Sequence, residues 1–202
     1  MLKNRKWICG IVAALILLVT PMMGTATVEK IDKDTLILNG AVYGDDFKQF
    51  LEATNDPKIR HYEFLMHSPG GNAFTCMAIM NRMREMQREG ITFTTKIYGI
   101  GMSAGTYIWL MGNDRVVYEG SSLLFHSIES QMNDYQIEMT EEKDPSAMAM
   151  IRRMDEWVKD RLRSMGMSET MIEYWMDSGA GQVMSAETAR NTELATEYIP
   201  TD

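Results

Sequence analysis

The stretch best suited to chemistry is Gly101-Met102-Ser103-Ala104-Gly105, a serine between small residues in the spacing G-x-S-x-G. It follows a segment that reads as a strand, 91–100, and precedes one that reads as a helix, 106–111. A strand-to-helix turn holds a hydroxyl out into a cleft. It also aims the first backbone N–H groups, at the positive end of the helix dipole, toward an approaching oxygen. The spacing alone equally suits a plain N-cap serine. A serine nucleophile needs a base, usually histidine. Of the three histidines, His126 is the only one downstream of Ser103. His61 and His67 lie on a strand that runs into Ser68-Pro69-Gly70-Gly71, and His67 reads as a hydrogen-bonded strand residue. Two adjacent glycines after a strand let backbone N–H groups approach a ligand without side-chain interference.

Chain order narrows the chemistry. The α/β-hydrolases place an acid between the serine and a far-downstream histidine. Here 23 residues separate Ser103 from His126, with only Asp114 and Glu119 as acids between them, and the remaining strands of that fold do not fit. The order permitted is serine, histidine, then a later acid.

The elements that must position these groups alternate strand with helix, which implies an α/β layer architecture. Strands are expected at 35–39, 60–67 (Tyr62, Phe64 and Met66 on one face), 91–100, 115–118 and 122–128. Helices are expected at 45–53 with Asp45 or Asp46 as cap, and from Asn72 to 89 with Ala73, Met77, Met80, Met83 and Met86 on one stripe. Asp144-Pro145 opens a helix to 165, apolar at Met148, Ile151, Met154, Val158 and Leu162. Its charged residues Arg152, Asp155, Lys159 and Arg163 read as a solvated face. Helices at 168–176 and 185–198 complete the chain, 177–181 is a loop, and the polar stretch 129–143 reads as an irregular loop or lid.

The chain of 202 residues carries a net charge of −8. Its first 26 residues hold a basic KNRK, an apolar run and a small-residue exit at Gly24-Thr25-Ala26, the pattern of an export signal cleaved after Ala26. A retained membrane anchor through 7–23 is the alternative, and either way the domain 27–202 lies outside the cytoplasm. Removing the cations Lys3, Arg5 and Lys6 from the net charge of −8 leaves −11, which argues against a nucleic-acid partner. Cys76 is the lone cysteine after the signal and reads as a buried small hydrophobe, and most of the 20 methionines read as core filler rather than metal ligands.

Five segments in order, TLILNGAV, FLMHSPGGNAF, YGIGMSAGTYIWLMG, SSLLFHS and VMSAETA, resemble the proteolytic subunit of the Clp protease, a ClpP-like serine peptidase of the ClpP/crotonase fold. The resemblance covers about 35–199. It implies an α/β fold of repeated ββα units in a spiral with a projecting helix. It further implies Ser103 as nucleophile, His126 as general base, and the N–H groups of Gly71 and Ala104 as oxyanion hole. No cofactor or metal is implied. The expected partners are a peptide or unfolded protein substrate, bound extended along strand edges, and further copies of the chain in a homo-oligomeric ring.

The chain departs from the family pattern in three places. The family's aspartate falls here at Gly181, so Asp177 is expected to take its role if the loop bends back, with a backbone carbonyl or Gln182 as alternatives. The lead between the cleavage site and the first strand is short and ATP is absent outside the membrane, so no ATPase partner is expected. The ending NTELATEYI lacks the family's glycine and aspartate. Competing readings are a membrane-associated peptidase resembling signal peptide peptidase A, with a serine–lysine dyad through Lys159, a crotonase-type acyl-CoA enzyme, and a catalytically degenerate ClpP-like scaffold.

Overall fold

Apolar residues at every second position build the centre of the protein. In the computed structural model, which describes residues 27–128, 134–177 and 181–201, strands β2 (Thr35–Asn39), β3 (His61–Ser68) and β4 (Thr92–Met102) each bury alternate side chains. Leu36 and Leu38, then Tyr62, Phe64 and Met66, then Phe93 and Ile97 face one core. Burying a side chain of this size contributes about 1.5–3 kcal/mol. Helix α1 (Asp46–Ala53) adds Phe50, whose ring lies 5.8 Å from Phe64 and 6.3 Å from Phe93.

The three strands run parallel and are continued by β5 (Asp114–Tyr118) and β8 (Glu197–Ile199), while β1 (Thr27–Lys30) closes the other edge antiparallel to β2. Strand β4 serves two neighbours. Its residues Thr94–Ile97 pair with β5, and its residues Ile100–Met102 pair with β6 (Ser122–Phe125), which in turn pairs antiparallel with β7 (Gln182–Ser185). The described residues thus form an eight-stranded sheet that branches at β4. Ser103 follows directly from the branch.

Helices cover the sheet and carry the expected caps. Asn72 accepts the Thr75 N–H at 2.9 Å to open α2 (Ala73–Arg88). The short α3 (Ala104–Trp109) follows Ser103. Asp144 accepts the Ala147 N–H at 3.1 Å to open α5 (Pro145–Ser164), and Ser168 caps α6 (Glu169–Met176). The α/β class and the eight-stranded sheet agree with the ClpP-like fold that the motifs imply.

The structure corrects four expectations. Residues Asp134–Lys143 are a helix, α4, not an irregular loop; the segment is rich in Glu, Gln, Met and Lys, which favour helix even without an amphipathic stripe. The expected helix 185–198 is three elements. Strand β7 ends at Ser185, whose hydroxyl caps α7 (Ala186–Asn191) by accepting the Thr188 N–H at 3.1 Å. Glu193 then takes a left-handed φ of 60° that ends the helix, and Glu197–Ile199 joins β5 as a strand. A strand, β1, precedes the one expected to be first. Finally, the charged side of α5 is not uniformly solvated: Asp155 is buried, and the Lys159 side chain is only 17 % exposed.

The expected signal or anchor at 1–26 lies outside the described residues. Among the described residues, no helix is long and apolar enough to cross a membrane.

Candidate active site

Ser103 takes φ 51° and ψ −120°, the backbone of the first central residue of a type II′ turn, where glycine is the usual occupant. A side chain in this region costs on the order of 1–3 kcal/mol. The residue stands at the N-cap of α3, yet its hydroxyl caps nothing in the helix. Among the described residues the serine is bonded through its backbone: its N–H donates to the Leu124 carbonyl at 3.0 Å and its carbonyl accepts the Tyr107 N–H at 3.0 Å. The hydroxyl is left out of both bonds.

The glycine turn after β3 lies against this serine. A Cβ on Gly70 would stand 2.7 Å from the Ser103 Cβ and 3.2 Å from the Ala104 nitrogen. Gly71, at φ 145°, crosses so close to Val42 that a Cβ there would meet the Val42 carbonyl oxygen at 2.3 Å. The Val42–Gly71 bridge is made by the Gly70 carbonyl and the Asn72 N–H, at 2.7 and 2.8 Å, and leaves the Gly71 N–H outside it. The Ala104 N–H opens α3 and has no carbonyl four residues earlier in the helix to receive it. Gly105 completes the G-x-S-x-G spacing for a packing reason. Its Cα rests on buried Ser68, and a Cβ would approach the Ser68 Cβ to 3.0 Å.

Gly71, Ser103 and Ala104 line one pocket together with Cys76, Met80, Tyr107, Ile128, Met154 and Val158. Its deeper wall is apolar. Burial raises the Cys76 thiol well above its ordinary pKa, so that it packs as a neutral side chain, as the sequence suggests.

His126 follows β6 directly and is two residues past Leu124, the residue that binds the Ser103 N–H. It is 9 % exposed. Its Nδ1 lies 2.8 Å from the Ser127 carbonyl oxygen. A carbonyl only accepts, so Nδ1 carries the proton and the Nε2 lone pair is left to act as a base. The backbone of His126 is held just as firmly. The Tyr107 hydroxyl donates to the His126 carbonyl and accepts the His126 N–H at 3.3 Å. Burial, opposed by the bond to His126 and aided by the Asp155 charge, raises the Tyr107 phenol far above its ordinary pKa. It stays protonated and remains a donor. Asp155 reaches in from α5 and accepts the Ile128 N–H at 2.8 Å.

Asp177, expected to orient the imidazole, ends α6 and is engaged elsewhere. Its carboxylate receives a hydrogen bond from Lys159 Nζ at 2.9 Å and is 40 % exposed. The family's acid position is closed to a side chain. Gly181 has φ 88°, and a Cβ there would lie 2.6 Å from the Phe125 carbonyl oxygen and 2.8 Å from the His126 Cβ. Gln182 sits on β7 opposite Phe125. Lys159 itself is only partly buried; although burial works to lower its pKa, the Asp177 bond and the charges of Asp177, Glu156 and Asp155 raise it overall. His67 has the structural role read from its position, with Nδ1 donating to the Tyr98 carbonyl at 2.8 Å.

Two residues of this site escaped sequence reasoning. Tyr107 lies one helical turn after Ser103, and that spacing was the available signal. Asp155 falls on the apolar stripe of α5, four residues after Ile151 and three before Val158, a position that demands burial. Among the described residues, no group of three or more His, Cys, Asp or Glu side chains is placed to hold a metal ion.

The family model for Clp protease matches residues 39–201. No curated protein matches the chain.

Proposed function

The chain belongs to the Clp protease family, and on that premise we propose that it is a serine endopeptidase in which Ser103 attacks the peptide carbonyl and His126 is the base. Members of this family are peptidases that form oligomeric rings and act on peptide or protein substrates. The observation that carries the reading is the strained left-handed backbone of Ser103, whose hydroxyl does no work for the helix it precedes. Such strain persists where the surroundings enforce it, and here the Gly70-Gly71 turn packs directly against the serine.

His126 Nε2 takes the Ser103 hydroxyl proton as Oγ bonds to the carbonyl carbon. The oxygen of the tetrahedral intermediate receives the N–H groups of Gly71 and Ala104; one such donor contributes about 3 kcal/mol of transition-state stabilisation. The imidazolium then gives its proton to the departing amine, and water repeats the sequence on the acyl-enzyme. The Ser127 carbonyl on Nδ1 selects the tautomer that a carboxylate would select. Among the described residues the His126 ring is bonded to this carbonyl and not to a carboxylate, so the site works as a dyad with a backbone orienter. Asp177 then belongs to the Lys159 ion pair.

The apolar wall of Cys76, Met80, Ile128, Met154 and Val158 favours an apolar side chain beside the scissile bond. The serine–lysine alternative is disfavoured by Lys159, which is a paired cation with a raised pKa, whereas a lysine base needs a lowered one. The signal-like 1–26 supports export or anchoring. We accordingly place the domain outside the cytoplasm as an ATPase-independent, homo-oligomeric peptidase.

The test is covalent labelling of the full chain with a fluorophosphonate, followed by peptide mapping. Label on Ser103, absent in Ser103→Ala and reduced at least a thousandfold in rate in His126→Ala, is the expected result. A folded wild-type protein that takes no label would falsify the reading and leave a degenerate scaffold.

A further inference from the structure

Where an acid would hold the imidazole from behind, this chain has Gly181 packed against the His126 Cβ, with no space for a side chain. The placement of His126 must come from another direction. Its ring is tied to the neighbouring Ser127 carbonyl, and a bond to an adjacent residue cannot fix where the two residues sit together. That is fixed through the backbone. One buried hydroxyl, from Tyr107, is bonded to both the N–H and the carbonyl of His126.

We propose that Tyr107 is the positioning residue of the site, setting the distance between Ser103 and His126 by clasping the peptide backbone of the histidine. The proposal rests on Ser103 and His126 being nucleophile and base. Tyr107 is suited to this because it is fastened at its other end to the nucleophile. Its N–H donates to the Ser103 carbonyl at 3.0 Å, one turn into α3, and its phenol spans from that turn to the end of β6. The same residue is therefore bonded to the backbone of both reacting residues. Its ring also lines the pocket beside Ser103. Burial, which raises its pKa, favours the protonated phenol and so the bond to the His126 carbonyl.

Among the described residues other groups also hold the chain near this clasp: the Ser127 N–H donates to the Met176 carbonyl at 2.7 Å, at the end of α6. Asp155 on α5 holds the Ile128 N–H and keeps the chain beyond His126 in place. Lys159 and Glu156 on α5 and Asp177 at the end of α6 are bound to one another, and Cys76 on α2 stays neutral through burial. None of these bonds the backbone of His126 itself.

Tyr107→Phe keeps the ring in the pocket and removes only the hydroxyl. A loss of alignment of up to an ångström costs roughly ten- to a hundredfold in rate. The experiment is saturation kinetics of fluorophosphonate inactivation on the full chain, which separates the maximal rate kinact from the half-saturating concentration KI. Tyr107→Phe is expected to lower kinact about tenfold or more with KI within twofold, at a temperature where circular dichroism matches wild type. Replacing Tyr107 by 4-aminophenylalanine, which restores a donor and an acceptor at the same place, is expected to recover most of kinact.

A merely structural hydroxyl would lower the melting temperature and leave kinact of the folded protein unchanged, and that result overturns the proposal. Failure of 4-aminophenylalanine to recover activity in a folded protein overturns it also. If Tyr107→Phe does not fold, the 4-aminophenylalanine protein alone decides, by reaching or missing wild-type kinact. A wild-type protein that takes no label removes the catalytic reading beneath the proposal; labelled wild type with equal kinact in Tyr107→Phe removes the proposal alone.

Discussion

Restoring the missing acid should harm this protein. Gly181→Asp puts an aspartate where the family resemblance expects one, and on chemical grounds alone it should complete a triad. The backbone forbids it. At φ 88° an L-residue carries a left-handed penalty of about 1–2 kcal/mol, somewhat less for aspartate. The new Cβ would stand 2.6 Å from the Phe125 carbonyl oxygen and 2.8 Å from the His126 Cβ, both well inside ordinary contact. Relieving overpacking of that kind costs about 1–3 kcal/mol. Together these give about 3 kcal/mol, or a melting temperature lower by roughly 6–12 °C for a domain of this size. The atoms that must give way are those of residues 125 and 126, so the relaxation moves the base. The expected outcome in urea or thermal unfolding is this loss of stability, with slower fluorophosphonate labelling. Gly181→Ala shares the steric burden without the charge and should show most of the same loss. A Gly181→Asp protein that melts within 2 °C of wild type and labels faster would refute the steric reasoning.

Three further expectations follow from charged groups outside the serine turn. Lys159→Met and Asp177→Asn should each change the labelling rate less than threefold, because the pair is bonded to itself; abolished labelling in Lys159→Met would restore the serine–lysine reading. The raised pKa of Lys159 means its contribution to stability is fully present below the unfolded value of about 10.4 and is lost as pH rises through the higher folded value, so the unfolding midpoints of wild type and Lys159→Met should converge in that alkaline window. Buried Asp46 behaves in the opposite range. Burial, only partly offset by the N–H groups of Tyr43 and Val28, raises its pKa. Its contribution is thus complete below the unfolded value of about 3.9 and is lost as pH rises through the folded value. Urea midpoints between pH 3.5 and 7 should fall with pH in wild type relative to Asp46→Asn, and parallel curves would count against it.

Much of this site was legible because local rules and tertiary need coincide there. Asn72, Asp144 and Ser168 are caps by sequence and caps in the fold. Tyr62, Phe64 and Met66 alternate in the sequence and are buried together. The serine turn and the SPGG turn are both glycine-dependent, and Gly70 and Gly105 each answer a contact that the other segment makes. What was illegible depended on partners distant in the chain. The strand Glu197–Ile199 has three residues and exists because β5 offers an edge. Asp155 looked solvated because it is charged, although its spacing put it in the buried stripe. The bond of the His126 ring to the Ser127 carbonyl could not be read from the sequence, because every residue has a carbonyl.

The strain at Ser103 makes a last expectation sharp, because it sets function against stability at a single residue. The hydroxyl does not cap α3, so removing it forfeits no helix bond, and the backbone at φ 51°, ψ −120° suits glycine better than any L-residue. Ser103→Ala removes the nucleophile and keeps the strain; Ser103→Gly removes both. Neither variant should take label. Their stabilities should differ, with Ser103→Gly the more stable by about 1 kcal/mol after the larger entropy loss of glycine on folding is set against the relieved strain. That is about 2–4 °C in melting temperature for a domain of this size. If Ser103→Gly is no more stable than Ser103→Ala, the turn imposes no cost on the serine. The inference from strain to catalysis would then lose its support, and the case for Ser103 would rest on its neighbours, the Gly71 and Ala104 N–H groups and His126.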